Sequence, residues 1–182
     1  MDTAKLKEDL LKTIKEKAFI KGEERNLASG KKSNFYIDGK QVTLDPAGLL
    51  LVGKVILSVL SGSKVDAIGG PTLGADPIAA AVSLLSSQTG HPIRAFIVRK
   101  EAKKHGMQKM IEGPALQAGD HVVMVEDVIT TGGSVLTAIH EVEKLKAKVV
   151  RVICLVDHNE GAADLLAPYN YTPLFSLQDL GV

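Results

Sequence analysis

Two rhythms of apolar residues alternate along this chain. Four short, mostly apolar runs at 65–68, 93–98, 122–125 and 147–156 predict strands buried on both faces, the pattern of a parallel sheet. Between them apolar residues recur at helical spacing. Leu6, Leu10, Leu11, Ile14 and Ala18 follow a capping Asp2 or Thr3. Asp45-Pro46 puts an acid at a helix cap and proline at the first helical position, opening a helix to about Leu60. Ile78 to Leu85 predicts another, and Val135, Leu136, Ile139, Val142 and Leu145 a further one. A short helix near 162–166 and an edge strand at 171–177 close the chain, whereas 19–27 reads as irregular. Strands alternating with helices imply right-handed crossovers, hence an α/β fold with helices on both faces of a parallel sheet. Ligands of such sheets bind where the strands' carboxyl ends meet.

The stretch at 121–134 organises the rest. Val122 to Val125 is unbroken apolar sequence, then Glu126 and Asp127 put two carboxylates at its carboxyl end, and Thr130-Thr131-Gly132-Gly133-Ser134 leads into a helix. A loop of small residues opening a helix offers backbone N–H groups and the positive dipole end to a phosphate. Its glycines allow close approach and positive φ. Carboxylates repel phosphate, so Glu126 and Asp127 must face sugar hydroxyls or a metal. Phosphate beside a vicinal diol describes a ribose 5-phosphate. A rival reading, the acidic strand of a nucleotide triphosphatase, needs a glycine-rich loop ending in Lys-Ser or Lys-Thr. Gly48 to Val55 has the glycine and lysine spacing, but Val55 replaces the hydroxyl and the interior is leucine, so it belongs to a core helix.

Three other segments fall at predicted strand ends. Gly69-Gly70-Pro71-Thr72-Leu73-Gly74-Ala75-Asp76 is a second small-residue loop. Arg99-Lys100-Glu101-Ala102-Lys103-Lys104-His105-Gly106 opens a long basic connection over 99–114, which alone would read as a solvated charge run. Asp157-His158-Asn159-Glu160-Gly161 is the third. Upstream, Ser29-Gly30 reads as a turn and Phe35 to Asp38 as a short strand, together an edge hairpin.

Composition narrows the setting. The 182 residues are 45% hydrophobic and 24% charged, an ordinary globular balance for one domain over 1–182. A net charge of +1 makes no electrostatic case for nucleic acid or an anionic membrane. The single Cys154 lies in an apolar run, which predicts a core thiol and suits a reducing compartment. The charged N-terminus is no signal peptide, and no stretch approaches a membrane span, so a cytoplasmic protein is expected.

These motifs resemble the type I phosphoribosyltransferases, most closely the orotate phosphoribosyltransferases, over Ser29 to Gly161. The strand, Glu-Asp, two apolar residues and Thr-Thr-Gly-Gly-Ser match that family's ribose-phosphate loop, so Glu126, Asp127, Val128, Ile129, Thr130, Thr131, Gly132, Gly133 and Ser134 are expected on the sugar phosphate. The 69–76 loop resembles the diphosphate loop, which implicates Thr72, Leu73 and Gly74. Arg99, Lys100, Lys103 and His105 match the mobile catalytic loop, with Lys103 the main catalytic residue beside Glu126 and Asp127. In that family the loop closes over the partner subunit's site, implying a homodimer. The Ser29–Asp38 segment resembles a small hood over the base within 1–45, bringing Phe35 and Tyr36 near the ring, with Thr130 and His158 also at the base. The implied reaction joins 5-phosphoribosyl 1-diphosphate to orotate with Mg²⁺ as cofactor, held mainly through substrate and by Asp127. A transferase for another base, or a non-catalytic sensor of the sugar diphosphate, are the alternatives. Three positions depart from the pattern: Ala28 for a common lysine, Leu73 for a basic residue, and His158 for the arginine that binds the base's carboxylate.

Overall fold

The computed structural model describes residues 3–26, 32–101 and 109–182. Helix α1 (Thr3–Lys17) buries Leu6, Leu10 and Ile14, the stripe its spacing predicts. Strands β1 (Phe19–Asn26) and β2 (Lys32–Ile37) form a separate antiparallel pair, with Phe19 opposite Ile37 and Asn26 opposite Lys32. The expectation of irregular chain at 19–27 is therefore corrected. The sequence of β1 is charged and contains Gly22, so nothing in its own pattern shows a strand; the ladder to β2 supplies its order. A short α2 (Lys40–Thr43) follows, then α3 (Pro46–Val59), where Asp45 caps by accepting the Gly48 amide at 2.8 Å. The Gly48–Lys54 spacing lies wholly inside α3, as its leucines require.

The main sheet has six strands in the order β5 (Ile111–Glu112), β4 (Arg94–Val98), β3 (Ala67–Pro71), β6 (His121–Ile129), β7 (Lys148–Asp157) and β8 (Tyr171–Ser176). All neighbours are parallel except β5, which returns antiparallel to β4 out of the basic connection. So the sheet is mixed at one edge, and the 99–114 segment is not loop throughout. Helices α4 (Ala75–Ser86), α5 (Gly133–Lys144), α6 (Ala162–Leu166) and α7 (Leu177–Leu180) complete the set.

Side-chain alternation splits the core into two layers. Val123 and Val125 of β6 pack with Leu10, Ile56 and Ile78 from α1, α3 and α4. Val122 and Met124 pack with Ile139 and Leu166 from α5 and α6 on the other face. Cys154 is fully buried in this second layer, with burial pushing its thiol pKa far up, so it is a core residue.

Two boundaries differ from the sequence pattern, and both concern the cleft. Gly69, Gly70 and Pro71 belong to β3 rather than to a loop, since a Cβ at Gly69 or Gly70 would strike the carbonyl of Phe96 or Val125 in the flanking strands. Strand β6 runs on through Glu126 and Asp127 to Ile129, held by pairing with β7 as far as Asp157. The change to polar residues at 126 marks where the strand meets the cleft, while the backbone ladder continues.

Candidate functional site

The carboxyl ends of β3, β4 and β6 open into a cleft of about 620 Å³ walled by Lys40, Thr72, Gly74, Arg99, Lys100, Glu126, Asp127 and Ser134, among others. A smaller hollow of about 170 Å³ lies beside it, formed by Val128 through Val135 and sharing Glu126, Val128 and Ser134 with the cleft. The predicted acids and the predicted phosphate loop are thus two walls of adjoining spaces.

Asp127 is 5% exposed, and its Oδ1 accepts the Val128 amide at 2.8 Å. Its Oδ2 is buried without a hydrogen bond and lies 3.5 Å from Lys40 Nζ. That ammonium also sits 3.2 Å from Asp38 Oδ1. Burial works against the charge on Lys40, but Asp127 and Asp38 outweigh it and hold its pKa above the usual lysine range. Glu126 lies deeper in electrostatic terms. Burial first, then the Asp127 charge, pushes its pKa up to about 9. At neutral pH Glu126 is therefore a neutral acid, able to donate as well as accept. Two glycines allow the close fit. A Cβ at Gly39 would come within 2.7 Å of Asp127, and one at Gly74 would overlap the Glu126 carboxylate.

The predicted diphosphate loop has the cis peptide Thr72–Leu73. The Thr72 amide donates to Val98 O at 3.0 Å and its hydroxyl to Asp76 at 2.8 Å. Of the three predicted amides, Leu73 and Gly74 are the two candidates for an anion. Leu73 itself projects outward, 70% exposed. At the phosphate loop, Gly132 takes φ 86° and caps α5, so the turn places successive amides at a helix N-terminus. Thr130, Thr131 and Gly133 line the small hollow with it.

The basic connection enters the cleft at Arg99 and Lys100 and returns at Met110. Arg99 is steadied by Glu112 at 3.7 Å. Lys103, Lys104 and His105 lie outside the described residues.

The base-side residues assemble apart from the cleft's lining. His158 is 6% exposed, its amide donates to Ile129 O at 2.9 Å, and its ring stacks on Phe35 at 5.9 Å between centroids. Asp157 Oδ1 accepts the Asn159 amide at 2.8 Å. Burial pushes the His158 pKa below the usual imidazole value, with Glu160 and Asp157 opposing. Tyr36 stands outward, 43% exposed. The sequence motifs single out neither Gly39 nor its part in seating Asp127. The Asp38-Gly39-Lys40 run, an acid and a cation around a glycine, was the available signal.

Among the described residues no group of three or more His, Cys, Asp or Glu is placed to hold a metal ion. A divalent cation fits here only with Asp127 Oδ2 as a protein donor and substrate oxygens as the rest.

A family model described as "Phosphoribosyl transferase domain" matches residues 39–173. The chain is 42% identical to the orotate phosphoribosyltransferase of Nostoc sp., covering 98% of this chain and 87% of the relative. It is 43% identical to that of Corynebacterium glutamicum, covering 98% and 96%. Among solved structures it resembles Mycobacterium tuberculosis orotate phosphoribosyltransferase in complex with 5-phospho-α-D-ribosyl 1-diphosphate, with a TM-score of 0.79, 32% identity, and 97% and 99% of the two chains covered.

Proposed function

The chain belongs to the orotate phosphoribosyltransferases within the phosphoribosyl transferase family, and from that premise we propose how its residues share the work. The enzyme transfers phosphoribosyl from 5-phosphoribosyl 1-diphosphate to orotate, giving orotidine 5′-monophosphate and diphosphate in pyrimidine biosynthesis. The observation carrying the residue assignment is the shared wall: the Gly132 turn opens α5 in a hollow that adjoins the carboxylate-lined cleft.

The 5-phosphate sits on the amides and hydroxyls of Thr130 to Ser134. Asp127 accepts from the ribose hydroxyls, and Glu126, protonated at neutral pH, donates to them or accepts from them. As the C1–O bond to diphosphate breaks, positive charge gathers at the anomeric carbon, and the Asp127 carboxylate opposes it. Arg99, Lys100 and the Leu73 and Gly74 amides receive the leaving diphosphate. Lys103 and His105 join them by resemblance to the family's loop, with Lys103 the main catalytic cation. Mg²⁺, when bound, neutralises diphosphate charge; Asp127 is the side chain that would hold it. Lys40 keeps Asp127 oriented while no substrate is present. The base then bonds to C1 through its ring nitrogen, whose proton passes to the departing diphosphate, from the side of Thr130, His158 and the Phe35 ring, with Tyr36 at the hood's outer face.

We infer a homodimer whose basic loop serves the neighbouring cleft. Its support is the loop's sequence and Leu73, an apolar side chain on the cleft rim that a covering subunit would bury. A cytoplasmic setting follows from the biosynthetic role. No helix among the described residues is long and apolar enough to cross a membrane. Diphosphate release with the sugar diphosphate and a panel of bases tests the substrate. Orotate should give the highest kcat/KM, and preference for another base would overturn the assignment.

A further inference from the structure

His158 and Glu160 form a buried pair to which the reaction as derived assigns no joint role. Their Nδ1 and Oε1 atoms lie 3.9 Å apart, with side-chain exposures of 5% and 9%. Asn159 between them takes φ 55°, a left-handed turn that doubles the chain back. At 3.9 Å the contact is too long for a hydrogen bond, and His158 Nδ1 is buried without one. The His158 amide is tied to Ile129 O, which anchors this turn to the end of β6. From the hood the packed group is the uncharged ring of Phe35. Among the described residues the charged groups acting on the imidazole are Glu160 and Asp157, both carboxylates.

This arrangement is unfinished without a ligand. Burial holds the free ring's pKa below the ordinary imidazole value, although two carboxylates favour the charged form. A further carboxylate arriving on the far nitrogen adds to the same side of that balance. A neutral ring offers an incoming carboxylate one donor and no charge, which leaves the anion poorly compensated in a dry site. We propose that the orotate carboxylate enters together with one proton from solvent, which His158 takes up at Nδ1 against Glu160. The imidazolium, held between Glu160 and the substrate, then does the work of a permanent cation. Glu160 is a positioning residue, acting on the substrate through His158. The proposal rests on the orotate reading above.

Binding takes up a proton wherever the ring is neutral when free and charged in the complex. The free value lies below the ordinary ~6.5, so orotate affinity must fall as pH rises above it. The test is the orotate KM at saturating sugar diphosphate between about pH 6.5 and 8.5, with the KM for the sugar diphosphate as control. For the unaltered enzyme the orotate KM should rise about tenfold or more over that range. Glu160→Gln should raise the orotate KM at neutral pH roughly three- to tenfold, with kcat changing less. His158→Arg keeps a cation at all these pH values and should make the orotate KM flat. An enzyme that turns over orotate with a pH-independent KM, or a Glu160→Gln variant matching it at every pH, overturns the proposal alone. Absence of any orotate-dependent diphosphate release would sink the orotate assignment and this proposal together.

Discussion

The two halves of the proposed active site are built in opposite ways. The sugar-phosphate half is nearly one piece of chain: β6 delivers Glu126 and Asp127, and the turn to α5 delivers the amides. The proposed base half is collected from places far apart, Phe35 on the β1–β2 pair and His158 with Glu160 after β7. A contiguous half is positioned by the central strands, whose pairing on both sides leaves little freedom. An assembled half depends on how separate elements pack, so it can change residue by residue while the other stays constant. Two of the three departures from the family's pattern, Ala28 and His158, fall in the base half, and the third, Leu73, on the diphosphate side.

The largest expected effect is on the chemistry both halves share. Replacing Lys103 by alanine should lower kcat by ~10² or more, the usual cost of one transition-state donor. Steady-state kinetics on both substrates would measure it, and an unchanged kcat would remove Lys103 from the mechanism.

Next come the two acids, which the pattern treats alike and the structure separates. Asp127→Asn should lower kcat/KM for the sugar diphosphate about 10- to 100-fold, since a buried charge facing Lys40 and the anomeric carbon is lost. Glu126→Gln should cost less than about tenfold, because the glutamate is already neutral near pH 7. Equal losses would erase the distinction. Glu126 also has a stability signature. Its folded pKa, about 9, lies above the ordinary 4.5, so stability is greatest at low pH for this group and declines as pH rises through that window. Urea midpoints at pH 6 and pH 9 should converge for Glu126→Gln relative to the unaltered protein.

The smallest effect belongs to the hood. Phe35→Leu removes the ring stacked on His158 and should raise the orotate KM a fewfold, consistent with about 0.5–1.5 kcal/mol for an aromatic pair, while the KM for the sugar diphosphate stays put. If both KM values rose together, the hood would be acting on the whole cleft and the two-halves picture would fail.

Much of the site could be read from the chain because its physics is local. An apolar run, two acids, hydroxyls and glycines in 14 consecutive positions carry their own geometry, since a strand leading into a helix fixes where each group points. The same holds for the Asp45 cap and the amphipathic stripe of α1. Where partners came from elsewhere, the pattern failed. Strand β1 has no apolar alternation and exists through β2, β5 is two residues paired to β4, and β6 continues past its last apolar run because β7 holds it.

Sequence alone determined the class of the fold, the succession of strand, acid pair, glycine turn and helix over 122–134, and the basic run after β4, because periodicity and motif order are properties of neighbours along the chain. Tertiary structure alone decided that Thr72 spends its amide on Val98, that Gly39 and Gly74 make room for the acids, and that burial beside Asp127 raises the Glu126 pKa. It also brought Glu160 against His158 under Phe35. Burial and the distances between charges set these outcomes, and both depend on which distant segments the fold packs together.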